Sequence, residues 1–257
     1  MREDNSQILP IVNILDVKTH AQSFDTAVET VLQWAKEARR RYISTCPVYT
    51  IMMCRENPSV SKAVNGADMV AADGMPVVWL QRRRGYPNAQ RVYGPDLMLA
   101  VCEQSVRKGI KHVFWGGEPG VAEILAARLQ ERFPGLQVVA TFSPPFHALT
   151  DEPDTEAIAR LNVLDAQIVW VGLGSPKQDL WMAQHRRYLT APVLIGVGAA
   201  FDFLAGTKRQ APRWMQRIGL EWFYRLIGEP RRLGRRYIVY NPRFVWALLR
   251  HRFRPSS

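Results

Sequence analysis

A chain of 257 residues, 47% hydrophobic and 22% charged, can bury a sizeable core and needs no more than one domain plus an extension. Its formal charge of +11 is unevenly placed: residues 207–257 carry 13 Lys and Arg against two acids, Glu221 and Glu229, while residues 1–206 carry 21 of each sign. No run reaches the roughly 18 uncharged apolar residues of a spanning helix, Met1 to Gln7 lacks the apolar core of a signal peptide, and three cysteines without C-x-x-C spacing argue against a disulfide framework or a zinc site. The expectation is a cytoplasmic protein whose contact with a membrane, if it makes one, is peripheral.

In chain order, Ile8 to Val17 reads as a strand or hairpin. Phe24, Ala27, Val28, Val31, Leu32 and Ala35 then recur at helical spacing behind Ser23, a good N-cap. Tyr42–Cys46 is a short strand, a helix follows to about Asn65, and Asp68–Ala72 is a strand ending at Asp73-Gly74. Helices are predicted over Pro76–Arg83 and Pro95–Arg107, the second with proline in its first turn. The middle is the most regular part: strand His112–Trp115, turn Gly116–Gly120, helix Val121–Arg132, strand Leu136–Phe142, helix Thr155–Leu164, strand Ile168–Val171, helix Pro176–Tyr188 and strand Val193–Val197. This alternation predicts an α/β fold, Rossmann-like, with a mostly parallel sheet and helices on both faces. A basic, helical C-terminal appendage follows, so the expected division is 1–206 and 207–257.

Three glycine-rich turns lie at the carboxyl edge, where such sheets place ligands. They are Gly116–Gly120, Gly172-Leu173-Gly174-Ser175-Pro176 and Gly196-Val197-Gly198. Glycine allows close backbone approach, and helix N-termini behind the turns offer N–H groups to phosphate. That makes Gly116, Gly117, Gly172 and Gly174 candidates for holding a nucleotide diphosphate; the plainer reading is tight turns alone. The dinucleotide fingerprint fails because its third glycine is Lys177 in one candidate and Phe201 in the other, and the phosphate loop is absent. A nicotinamide oxidoreductase is therefore disfavoured.

Asp73 ends an apolar strand before a glycine, where a carboxylate can project into a crevice as general base; an Asp-Gly turn is the commoner meaning of that pair. Arg91, Lys177, Gln178 and Asp202 are further polar residues beside turns or strand ends. No D-x-D pair occurs, so nothing points to a metal clamp on diphosphate, and the five histidines have no metal-ligand spacing. No cofactor is expected.

In the tail, arginines alternate with Trp214, Trp222, Phe223, Tyr224, Tyr237, Tyr240, Phe244, Trp246 and Phe253. Rings of this kind sit beside lipid headgroups while guanidinium groups meet phosphate. The tail reads as a docking element for an anionic membrane surface. Single-stranded nucleic acid would use the same residue types, but the neutral sheet edge gives no matching groove, so nucleic acid is not an expected partner. Arg213, Arg217 and Glu221 fall on one helix face, Met215, Ile218, Trp222 and Leu226 on another, and a further helix is predicted to start at Asn241-Pro242.

Asp73-Gly74, Arg91 to Leu97, Phe114 to Ala122, Val171 to Asp179, Gly196 to Gly198, Lys208-Arg209, Gly219 to Trp222, Tyr224-Arg225 and Glu229 to Arg232 together resemble the WecG/TagA/CpsF glycosyltransferase family, in order and over nearly the whole chain. The resemblance implies inverting, metal-independent transfer of a hexose from a nucleoside diphosphate sugar, usually a UDP-sugar, to a polyprenyl-diphosphate-linked sugar in bacterial cell-surface polysaccharide biosynthesis. It implies a base at Asp73, with Thr45, Arg91 and Gln178 in the same pocket. It also implies an appendage that closes over the site, for which Arg225, Arg232 and Arg235 are the candidates. The chain departs from the family where Pro47 replaces an asparagine, Asp179 a glutamate and Ala199 a glycine, and where Gln210 interrupts a Lys-Arg-Ala-Pro motif. Glucose, N-acetylmannosamine or a uronic acid remain open as donor sugar. A non-catalytic lipid-diphosphate-binding scaffold at the membrane is the alternative, and a homo-oligomer covering the apolar tail is a further partner expectation.

Overall fold

The structure is a computed structural model, described here for residues 9–37, 39–144 and 152–252. Met1 to Gln7, the Ile8 start of the first predicted strand and Phe253 lie outside the described residues. The strands are β1 (Ile11–Ile14), β2 (Val17–His20), β3 (Arg41–Cys46), β4 (Met69–Ala72), β5 (Lys111–Gly116), β6 (Gln137–Phe142), β7 (Ile168–Gly172) and β8 (Val193–Gly196). They form one sheet in the order β1-β2-β4-β3-β8-β7-β5-β6. Every pairing is parallel except β1 with β2, a hairpin whose loop residues Leu15 and Asp16 both have positive φ, as a two-residue turn of matching twist requires.

Central strands are buried on both faces because helices cover both, and side chains alternate between two cores with the period of two expected of a strand. Tyr42, Cys46, Val70, Ala72, Val113, Trp115, Val169, Val171 and Leu194 face one core. That core is completed by α2 (Val48–Glu56), α3 (Pro58–Asn65), α4 (Met75–Arg83), α7 (Thr155–Asn162) and α8 (Lys177–His185). Ile43, Met69, Phe114, Ile168, Trp170, Val193 and Ile195 face the other. There they meet α1 (Phe24–Trp34), α5 (Gly94–Val106), α6 (Val121–Arg132) and α9 (Ala200–Ala205). The predicted mostly parallel sheet with helices on both faces is what is found.

Three local differences have physical causes. The helix expected through Asn65 is two, because Pro58 disfavours helical backbone at Asn57, whose side chain instead caps α3 by accepting from the Ser59 and Val60 amides at 2.9 and 3.3 Å. Helix α9 spans six residues, too short to display a period. The tail helix that would carry Arg213, Arg217 and Glu221 on one face is instead α10 (Arg213–Arg217) and α11 (Glu221–Gly228), with Gly219 at positive φ between them. Arg213 therefore turns outward to a two-pronged pair with Asp96 at 2.8 and 2.9 Å, while Glu221 turns inward.

The tail continues through α12 (Pro230–Gly234), a π-helical turn (Arg235–Val239) and α13 (Tyr240–Arg252). It seats Leu233, Tyr237, Tyr240 and Phe244 in buried positions, the last two in the core that holds α2 and α4. Arg243 pairs with Glu56 at 2.5 Å, and the Tyr240 hydroxyl donates to the same carboxylate at 2.9 Å. The Arg243–Glu56 pair is half-exposed and contributes about 0–1 kcal/mol; each buried apolar side chain contributes roughly 1.5–3 kcal/mol. Apolar burial therefore dominates in holding the tail, which leaves most of its positive charge available.

Candidate active site

The strand order reverses between β3 and β8, and the chain segments leaving β3 and β4 open a cavity of about 450 Å³ at the carboxyl edge. This is within the size range that holds small ligands. Its floor comes from Pro47, Val48 and Tyr49 after β3 and from Asp73 to Pro76 after β4; its roof comes from the tail through Glu221, Trp222, Arg225, Arg236 and Tyr237.

Asp73 is fixed by its backbone, since its amide donates to the Cys46 carbonyl at 3.3 Å. Arg91 Nη2 donates to Asp73 Oδ1 at 3.4 Å and to Glu221 Oε2 at 2.5 Å, so one guanidinium joins the sheet carboxylate to a tail carboxylate. The Tyr93 hydroxyl donates to the other Glu221 oxygen at 3.1 Å, and the Arg91 guanidinium lies 3.9 Å from the Tyr93 ring centroid. Burial pushes the Asp73 carboxyl above the usual range; Arg91 opposes this, the Glu221 charge adds to it, and Arg225 opposes it. A carboxylate raised in this way is a better proton acceptor than one in water.

Arg91, Arg225 and Arg236 all reach this cavity, and in each the Nε is buried without a hydrogen-bond partner. Arg225 lies 5.3 Å from the Phe203 ring centroid, on the side of α9, and Arg236 lies 4.4 Å from the Tyr49 ring centroid, on the side of α2. Burial holds the Arg236 guanidinium below its ordinary pKa. Three guanidinium groups lining one cavity suit an anionic ligand with several acceptor oxygens.

Of the residues singled out in the sequence, Asp73, Arg91 and Arg225 meet in this cavity. Asp202 pairs with Lys208 at 3.0 Å, Lys208 approaches Glu229 at 3.7 Å, and Glu229 in turn pairs with Arg232. Those groups form a charged chain from α9 to α12, to one side of Arg225. Across the π-helical turn the inward position is Arg236, and Arg235 is exposed. Thr45 is buried beneath the cavity and its hydroxyl donates to the Gly196 carbonyl at 2.7 Å. Gln178 Oε1 accepts from the Gly198 amide at 2.8 Å and Gln178 Nε2 donates to Ser175 at 3.3 Å, so this side chain shapes two glycine turns. Lys177 opens α8 beside them, its ammonium lowered by burial.

Gly116 and Gly172 are opposed in the β5–β7 ladder, and the Gly117 amide donates to the Gly172 carbonyl at 3.2 Å. A Cβ on Gly116 would lie 2.6 Å from the Gly172 carbonyl carbon, and one on Gly172 would lie 2.8 Å from the Phe201 ring. Packing alone therefore demands these two glycines, whereas a Cβ at Gly174 would meet nothing within 4 Å. Beneath the turns, Asp179 is fully buried and accepts from Ser44 at 2.6 Å; burial raises its pKa to about 6, against opposing hydrogen bonds from Ser44 and Ser175.

Glu221, Tyr93 and Arg236 were not among the expected site residues. The available signal for Glu221 was its sign, as one of two acids in a tail with 13 bases. Glu221 and Tyr93 also lie in segments that carry the family resemblance, whereas Arg236 had no distinguishing signal, because a π-helical register cannot be read from spacing.

A half-buried carboxylate at the carboxyl edge of a parallel sheet, faced by guanidinium groups, is an arrangement suited to group transfer with an anionic substrate. The model of the glycosyl transferase WecG/TagA/CpsF family matches residues 12–257, and the chain belongs to that family. It is a glycosyltransferase. It is similar to the N-acetylglucosaminyldiphosphoundecaprenol N-acetyl-beta-D-mannosaminyltransferase of Bacillus spizizenii strain W23, with 27% identity over 245 residues covering 95% of this chain and 92% of that one.

Proposed function

We propose that the protein transfers a hexose from a UDP-sugar, with inversion, to a sugar carried on a polyprenyl diphosphate during synthesis of a bacterial cell-surface polymer. The observation that carries this reading is the half-buried Asp73 carboxylate paired with Arg91, in a cavity that Arg225 and Arg236 also line. The acceptor class follows the activity of the Bacillus relative, which acts on an N-acetylglucosaminyl diphosphoundecaprenol.

Asp73 takes the proton from the acceptor hydroxyl while that oxygen attacks the anomeric carbon from the face opposite the leaving UDP. The C–O bond to the diphosphate breaks with its electron pair, so negative charge develops on the departing phosphate oxygen. Arg225 meets that charge, with Lys177 and the glycine turns along the donor; preorganised cations stabilise such charge without reorganisation. The role of neutralising the leaving group is assigned to guanidinium groups rather than to a metal. Glu221 keeps Arg91 from neutralising Asp73 fully, because the same guanidinium serves both carboxylates.

No helix among the described residues is long and apolar enough to cross a membrane. The tail nevertheless exposes Trp214, Ile218, Phe223, Ile227, Ile238 and Trp246 among its arginines. This supports peripheral docking on the anionic inner face of the cytoplasmic membrane, where each Lys or Arg near the surface adds about 1 kcal/mol. The function is tested by following UDP release from a panel of UDP-sugars with a short-chain polyprenyl diphosphate sugar. Release with one donor, and a product whose new linkage has the opposite anomeric configuration, is expected. Binding of the lipid diphosphate with no turnover of any donor would favour the scaffold instead.

A further inference from the structure

We propose that a second cavity, between α4 and α13, holds the isoprenoid units nearest the diphosphate of the acceptor lipid. The inference rests on the acceptor class proposed above and locates its hydrocarbon. The second cavity is also about 450 Å³ and is lined by Leu15, Leu80, Arg83, Arg84, Val245, Leu248 and Leu249. Leu80, Val245 and Leu248 line the Asp73 cavity too, so the two cavities adjoin across an apolar neck.

The order of chemistry along the walls matches the order of groups in the acceptor. Helix α4 begins two residues after Asp73 and presents Met75, Leu80 and then Arg83 and Arg84 to the cavities. Helix α13 begins beside Arg236, whose guanidinium feels the Asp73 charge, and presents Asn241, Phe244, Leu248 and Leu249 in turn. At 1.5 Å per residue, Asn241 to Leu248 spans about 10 Å leading away from the charged end. A hydroxyl held at Asp73 thus places the sugar first, the diphosphate by Arg236, and the hydrocarbon against leucine and valine. The shared wall of Leu80, Val245 and Leu248 offers hydrocarbon an apolar surface and offers a nucleotide no hydrogen-bond partner there.

The second cavity opens at exposed Leu249, with Arg83 and Arg84 also exposed there. This is the arrangement of an outlet at a membrane surface: aliphatic groups at the boundary, cations at headgroup level. A chain leaving the neck there enters the lipid phase without crossing water.

The test uses the full chain with water-soluble acceptors that carry one sugar diphosphate on one, two or three isoprene units, without vesicles or detergent. Membrane docking then plays no part in the readout. In the wild type, kcat/KM rises with chain length. Leu249→Asp places a charge in the wall at a half-exposed position, and Leu249→Trp fills the space. Both lower the ratio of kcat/KM for the three-unit acceptor to that for the one-unit acceptor by at least about tenfold, since several buried methylene groups lose their apolar wall. An unchanged ratio in both variants, or a wild type indifferent to length, overturns the groove while leaving the transferase reading in place. A change in oligomeric mass with an unchanged ratio assigns the surface to a second copy and also overturns it. Absence of turnover with every acceptor and donor overturns the transferase reading itself, and the groove with it.

Discussion

The two halves of the site are built by opposite means. On the sheet side, a carboxylate is held by backbone geometry: the Asp73 amide is tied to the Cys46 carbonyl and β4 before it is buried on both faces. On the tail side, short helical segments with exposed apolar residues carry Glu221, Arg225 and Arg236 to the same cavity, anchored chiefly by Tyr237, Tyr240 and Phe244. On the proposed mechanism, the proton acceptor belongs to the sheet, whereas the groups that would meet the anionic substrate are mounted on an element whose seating depends on a few side chains. Catalysis would then be sensitive to whatever stabilises the tail.

The comparison is most easily broken at Asp73. Asp73→Asn keeps the size of the side chain and removes its basicity; kcat is expected to fall by about 10²–10⁴-fold with the circular dichroism spectrum unchanged. A fall below tenfold would move the base elsewhere.

A second carboxylate, buried at the start of α8 beneath the glycine turns, sharpens the contrast. Asp179 has its pKa raised to about 6, above its unfolded value near 4. The folded state therefore binds the proton more tightly than the unfolded state between about pH 4 and 6. By linkage this group's contribution to stability falls as pH rises through that window and stays low above it. Asp179→Asn mimics the protonated form, so its stability relative to wild type should grow from pH 4 to pH 7 by up to ~3 kcal/mol in denaturant titrations. A difference that is flat with pH would place the carboxyl in its ionised state throughout.

Glu221→Gln probes the tail side more gently. Its hydrogen-bonding shape survives while its charge, which raises the Asp73 pKa, is lost. The acidic limb of the kcat/KM profile should move to lower pH, with a loss of about tenfold or less at neutral pH as Arg91 settles on Asp73. A profile that does not move would mean that Glu221 acts only as packing. The smallest effect is expected outside the cavity: Trp246→Ser should weaken sedimentation with anionic vesicles several-fold, and added salt should weaken it further as the arginines are screened. Equal binding to neutral and anionic vesicles would remove the electrostatic part of the docking.

The sheet was largely legible because its strands are short apolar runs punctuated by glycine and proline; β2 was not, since the Leu15-Asp16 turn lacks the usual glycine or asparagine signal. Asp73 and Arg91 were legible as polar residues at strand ends, and the family resemblance named them as pocket residues. What escaped detection was register in the tail. Gly219 splits the helix that spacing suggested, and the π-helical turn exchanges Arg235 for Arg236. Both depend on packing against α2 and α4, residues far away in sequence. The glycines carried a mixed message, since close approach of β5 to β7 accounts for Gly116 and Gly172 without any ligand.

The central claim is that sheet base and tail cations act together in one transfer step. The most direct measurement is the single-turnover rate of UDP release with saturating donor and acceptor in the wild type, Asp73→Asn and the pair Arg225→Ala, Arg236→Ala. The account predicts that the arginine pair slows the step by about 10²-fold or more, comparable to loss of a preorganised charge-stabilising donor, while the protein stays folded. A wild-type rate in the arginine pair would contradict it, and would reduce the tail to a membrane anchor.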